Sequence, residues 1–149
     1  MKYELISAKK NTIVQELICC ASDSFMRSKH SACLVRNNKI LCMQKNMYGK
    51  DLKSCSHHAE VMIGRRFNTL KLKDYTKFTY DLWVIRYSKI TDSCIESKPC
   101  YNCIKYIKRK MPYVNSIIYS TDDGKFIREN ISQITNSHLS LGHRSLRGR

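Results

Sequence analysis

The sequence predicts an α/β domain built on a mixed sheet of five strands flanked by helices. Three observations predict it. Segments with helical and strand character alternate, in the order helix, strand pair, helix, strand, helix, strand, strand. The run from Tyr80 to Tyr87 is apolar at the successive positions Leu82, Trp83, Val84 and Ile85, which marks a strand covered on both faces. The last two strand segments are separated only by Thr121-Asp122-Asp123-Gly124. A parallel crossover needs a dozen residues or more, so these two strands are expected to form an antiparallel hairpin.

The elements follow in order. Residues 11–27 read as a helix, with Ile13, Val14, Leu17, Ile18, Ala21 and Phe25 recurring on one face and Thr12 with Gln15 as a capping box. Residues 31–36 and 39–45 read as two strands joined by Asn37-Asn38, since Asn tolerates the positive φ of a two-residue hairpin turn. A polar loop, 46–56, leads to a helix over 57–70 with Ala59, Met62, Ile63, Phe67 and Leu70 facing inward. A charged connection, 71–79, precedes the central strand. Pro99 is expected at the first position of a third helix ending near Met111, because no donor is lost there. Residues 115–120 and 125–130 complete the sheet. Residues 1–130 are read as one domain and 131–149 as a basic tail carrying Arg144, Arg147 and Arg149, with Leu139, Leu141 and Leu146 able to pack.

Composition narrows the function classes. Hydrophobic residues make up 42% of the 149, with nine Tyr and four Phe, so a packed core is expected and disorder is excluded as the main state. Five Gly and two Pro exclude collagen-like and linker-dominated chains. The formal net charge of +15 favours phosphate-bearing partners, nucleotides or nucleic acid, against the plainer reading of a lysine-rich solvated surface. No apolar signal segment follows Met1-Lys2-Tyr3, and no run approaches the ~20 apolar residues of a membrane span. The expectation is a cytoplasmic protein with no membrane partner. Most of the eight cysteines fall in apolar segments and read as reduced core thiols.

Cys100 and Cys103 are different: their spacing puts both sulfurs on one face of a helix. Pro99-Cys100-Tyr101-Asn102-Cys103 and His58-Ala59-Glu60 each open a predicted helix. Two thiolates and one imidazole make three zinc ligands, which leaves a fourth position open as in catalytic sites. Positive helix ends aimed at the site favour thiolates. Glu60, two residues past His58, would be well placed beside a metal-bound water without being a ligand. A carboxylate there can carry a proton from water to a leaving amine. Two other readings stay open, a redox CxxC pair and a structural zinc site completed by Cys55 or His57.

The paired motifs, His-Ala-Glu and Pro-Cys-x-x-Cys each at a helix start, resemble the zinc-dependent cytidine and deoxycytidylate deaminase superfamily. The resemblance covers roughly residues 11–130. It implies a three-layer fold, one Zn2+ per chain held by His58, Cys100 and Cys103, and Glu60 as catalytic proton carrier beside a zinc-activated water. It also implies a substrate contact from Asn46, at the end of the second strand, and self-association as in related proteins. The 38 residues between the motifs, 61–98, exceed the usual spacing, and Lys71–Thr79 absorbs the excess.

Within that family the short Thr121–Gly124 turn resembles the free-cytidine branch. The charge points elsewhere, because cytidine is neutral. Arg65, Arg66, Lys105, Lys108, Arg109 and Lys110 could receive a phosphate or a polynucleotide backbone, and Tyr48, Tyr101 and Tyr106 could stack on bases or pack. The leading expectation is therefore a hydrolytic deaminase of a cytosine-type nucleoside or nucleotide that releases ammonia. The alternatives are a base deaminase acting on single-stranded RNA or DNA, and a non-catalytic zinc-fold protein that binds nucleic acid. Glu60 argues against the last, which has no use for it.

Overall fold

The computed structural model describes residues 3–6, 12–47, 58–69 and 78–137. In chain order these form β1 (Tyr3–Ile6), α1 (Thr12–Ser22), β2 (Lys29–Arg36), β3 (Lys39–Lys45), α2 (Ala59–Thr69), β4 (Tyr80–Ser88), β5 (Ser93–Ile95), α3 (Tyr101–Lys110), β6 (Val114–Ser120) and β7 (Phe126–Asn130). The sheet runs β1-β7-β6-β4-β2-β3, with β5 paired to the end of β4. It is mixed, as expected: β4 and β6 are parallel, and the other pairs are antiparallel.

The hairpins form where the turn chemistry places them. Asn37 and Asn38 adopt φ of 53° and 62°, the left-handed pair that joins twisted strands tightly. The last two strands are antiparallel, with Ser120 opposite Phe126, and Gly124 takes the φ of 76° that closes their turn. The five expected strands are joined by two others. β1 lies along β7, Tyr3 opposite Glu129. β5 is three residues held against Arg86–Ser88.

Three layers result. Ile13, Val14, Leu17 and Ala21 of α1 pack with Cys33, Val35, Trp83, Ile85 and Phe126 on one face of the sheet. Ala59, Ile63 and Phe67 of α2 and Ile104 and Ile107 of α3 pack with Ala32, Leu34, Leu82, Val84 and Ile117 on the other. Each fully buried Leu or Ile in these layers contributes roughly 1.5–3 kcal/mol, and β4 places Leu82, Val84 and Ile85 fully buried between them. Packing continues past residue 130, since Ile134 is fully buried in the second cluster. Leu139, Leu141, Leu146 and the three arginines of the tail lie outside the described residues, as do Leu70, most of the 71–79 connection and most of the 46–56 loop.

Three local expectations are corrected. α1 ends at Ser22, not 27: Ser24 N–H and Asp23 N–H turn back to Ala21 and Cys20 carbonyls, and Ser22 Oγ donates to Cys19 O at 2.8 Å. Phe25 therefore leaves the helix face and is 89% exposed. Thr12 is the first residue of α1 rather than its cap. Pro99 stands outside α3, whose N-cap is Cys100.

Candidate active site

Two helices of one layer begin at the same place. His58 C=O accepts the first hydrogen bond of α2, from Met62 N–H at 3.1 Å, and Cys100 C=O accepts the first of α3, from Ile104 N–H at 3.0 Å. Cys100 holds the extended backbone of an N-cap, φ −69° and ψ 168°. Cys103 follows one turn later on the same face. The result is a cluster in which His58 Nδ1 lies 3.0 Å from Cys103 Sγ and 3.8 Å from Cys100 Sγ. The three ligand atoms all fall within 4.8 Å of one another, and they form the one such group that could hold a metal among the described residues.

The donor set fits zinc. With metal–sulfur bonds of ~2.3 Å and metal–nitrogen bonds of ~2.0 Å, a tetrahedral site has N···S edges of about 3.5 Å. The two N···S separations straddle that value, so a few tenths of an ångström of adjustment suffice. Three protein donors among the described residues leave the fourth corner free; Cys55 and His57 lie outside those residues.

Electrostatics reinforce the fit. The Cys103 S–H donates to Cys100, and this bond, with His58 beside it, holds the Cys100 thiol far below its ordinary range, at about 3, against the opposing effect of burial. Cys103 is driven upward, first by the Cys100 thiolate and then by burial. The opposed shifts favour negative charge on Cys100, at the helix N-termini where such a charge is stabilised. His58 is pushed up by its hydrogen bond to Cys100. Glu60 is 4% exposed, and burial raises its carboxyl above the usual range while His58 and a hydrogen bond with Cys103 pull it back.

The segment that delivers Cys100 is pinned to the sheet. Ser97 Oγ donates to Val84 O at 2.9 Å, meets Ser120 Oγ at 2.7 Å, and accepts from Ser120 N–H at 2.8 Å. Ser120 Oγ donates in turn to Ile95 O at 2.6 Å. Pro99 O accepts from Asn136 Nδ2 at 3.0 Å. Lys98 reaches Glu129 at 3.4 Å, and that buried carboxylate also accepts from Tyr119 Oη at 2.6 Å.

Asn46 sits just past β3, 7% exposed. Its Oδ1 accepts from Ser24 Oγ at 2.7 Å and from His30 N–H at 3.0 Å, and its Nδ2 donates to Ser28 O at 2.7 Å. Lys29 Nζ also donates to Ser24 O. The Asn46 amide therefore ties the 24–30 turn to the strand.

Two neighbours escaped the sequence reading. His30 and Arg86 are directly opposite in the β2–β4 register. Alternation places them on the face of Ala32 and Val84, the face that carries α2 and α3. Burial and then Arg86 and His58 lower the His30 imidazole to about 4, which keeps it neutral beside the cluster. The signal lay in extending that alternation one step past the apolar run.

No family model matches the sequence. No curated protein matches it either. Among solved structures, the chain is similar to a dCMP deaminase from the cyanophage S-TIM5 in its apo form, at 18% identity over 74% of this chain and 83% of that one, with a TM-score of 0.46. It is similar to the same enzyme in complex with dCMP and dUMP, at 17% identity over 74% and 82% of the two chains, with a TM-score of 0.46. A likeness of that degree leaves the chemistry to be read from the residues themselves.

Proposed function

We propose that this chain is a zinc-dependent hydrolytic deaminase of a cytosine-type nucleoside or nucleotide. His58, Cys100 and Cys103 hold the metal. The observation that carries the reading is Glu60: a carboxylate 4% exposed and pushed up by burial, two residues past His58, at a His–Cys–Cys group that leaves a corner open among the described residues. A structural site has no need of such a group.

When bound, zinc supplies the Lewis acidity that makes water a nucleophile near neutral pH. The chain's own residues do the rest. Glu60 accepts a proton from the attacking water and delivers it to the ring nitrogen beside the attacked carbon, then takes the remaining hydroxyl proton and gives it to the exocyclic nitrogen. The C–N bond breaks, ammonia leaves, and the ring carbon becomes a carbonyl. The apolar surroundings that raise the Glu60 pKa bring it closer to that of a group that must both take and give a proton at neutral pH. His30, held neutral, lines the sheet side of the site with Arg86. Asn46 shapes the rim by holding the 24–30 turn, and its second amide N–H, unbonded among the described residues, is its contact for substrate.

The test is ammonia release by the zinc-loaded protein from cytidine, deoxycytidine, their monophosphates, adenosine and short oligonucleotides. Turnover of a cytosine compound supports the reading. Silence across the panel by protein holding stoichiometric zinc contradicts it.

A further inference from the structure

Away from the metal cluster, the outer face of α3 forms a pocket of about 280 Å³ lined by Asn102, Lys105, Tyr106, Arg109 and Lys110. We propose that this face docks the phosphodiester backbone of single-stranded nucleic acid. The inference concerns binding and stands apart from the deaminase reading.

The cations are the first support. α3 carries no acidic residue. Among the described residues, Lys105, Arg109 and Lys110 make no ion pair, whereas several cations elsewhere are engaged: Arg128 with Asp81, Lys125 with Asp123, Lys98 with Glu129, and Arg36 over the Phe78 ring. The helix dipole accounts for cations in the last turn, where Lys108, Arg109 and Lys110 sit. It does not account for Lys105 in the middle. Lys105 and Arg109 are four apart, a like-charge pair that costs an isolated helix ~0.2–0.5 kcal/mol, so the arrangement opposes folding and suits an anion.

The concavity is the second support. Cations on a convex helix would stand apart in solvent. Here Tyr106 leans across to α2 and becomes a wall, because Gly64 offers no side chain: a Cβ there would meet Tyr106 Oη at 2.7 Å. Tyr101, 43% exposed, stands one turn before Lys105 and directly after the ligand Cys100. Positive charge repeating at one-turn spacing of ~5.4 Å, flanked by two tyrosine rings, matches a chain of phosphates with attached bases better than a single anion. Base–aromatic stacking adds ~1–3 kcal/mol per base.

The experiment measures fluorescence anisotropy of a labelled fifteen-nucleotide oligothymidylate with the zinc-loaded full chain, from 50 to 300 mM salt. The expected result is salt-sensitive binding. The Lys105→Glu/Arg109→Glu variant should weaken it at least tenfold and flatten the log–log salt slope by about 1.4, two phosphate contacts at ~0.7 each. Lys105→Gln/Arg109→Gln, a gentler change, should give an intermediate loss. Lys39→Glu/Lys89→Glu, the same charge change outside α3, should alter affinity less than twofold. Zinc content verifies that each variant is folded at the site. The proposal is overturned if the wild type does not bind at 50 mM salt, if both charge-reversal pairs weaken binding equally, or if tripolyphosphate competes as well as unlabelled oligonucleotide at equal phosphate. None of these readouts depends on turnover, so failed binding and failed deamination remain separate results.

Discussion

His58 and Cys100 hold the same position on two different helices: each is the residue whose carbonyl accepts the first hydrogen bond, at 3.1 Å in α2 and 3.0 Å in α3. Each thereby sends its side chain into the gap where the two helix N-termini converge. The ligand group is thus a consequence of where two helices start, and the starts are set by the sheet to which both are packed.

The first prediction concerns the metal. The protein made with zinc available should contain one zinc per chain, and the Cys100→Ser/Cys103→Ser variant should contain none by elemental analysis. A ligand that binds only the folded state at 1,000 times its Kd adds ~4 kcal/mol. At ~2–4 °C per kcal/mol for a domain of this size, removal by a chelator should lower Tm by roughly 10 °C.

The second concerns the tether behind Cys100. Ser97→Ala leaves Ser120 N–H without its side-chain acceptor and removes the donor to Val84 O. Loss of buried partners costs ~1–3 kcal/mol each. Thermal unfolding should show a lower Tm, and zinc should exchange faster with a chromogenic chelator because Cys100 is held less firmly. A variant with unchanged Tm and exchange rate would show that the tether does not position the ligand.

The third concerns acid. The His30 pKa falls from 6.5 to about 4 on folding, chiefly through burial and then through Arg86 on β4 and His58 before α2, while Cys100 before α3 opposes the shift. The unfolded chain binds this proton more readily than the folded one between those values. Stability therefore drops as pH falls below about 6.5 and levels off below about 4, a total of roughly 3 kcal/mol at ~1.4 kcal/mol per pKa unit. Urea unfolding in a chelator at pH 7.0 and 5.0 should show a smaller acid loss in His30→Gln than in wild type. Equal losses would remove His30 from the account.

What the sequence made legible was local. The Asn37-Asn38 turn, the doubly apolar run of β4 and the Thr121–Gly124 turn between the last two strands each state their structure within a few residues. The two motifs do the same for position, because His58 and Cys100 precede α2 and α3 and Cys103 lies in the first turn of α3. What stayed hidden depended on pairing. β5 is three residues long and exists through its ladder to Arg86–Ser88. The place of His30 beside the site follows from a register with Arg86 that no single segment encodes. Phe25 misled because it kept the helical period after Ser22 and Ser24 had turned the chain away. Asn46 stands out in the sequence by its position alone, and its hydrogen bonds to Ser24, Ser28 and His30 are long-range and visible only in the fold.

Glu60→Gln tests the central claim most directly. Glutamine nearly matches the shape of glutamate and leaves His58, Cys100 and Cys103 in place, so zinc content should stay at one per chain. What is lost is the carboxylate that takes the water protons and delivers them to the ring nitrogen and the leaving nitrogen, a role worth ~10²–10⁴-fold or more. The measurement is ammonia released per bound zinc on the best cytosine substrate. The account predicts a fall of at least a hundredfold with zinc retained. Turnover above about a tenth of wild type with zinc retained would contradict it, because Glu60 would then be a buried first-turn acid with no part in the chemistry.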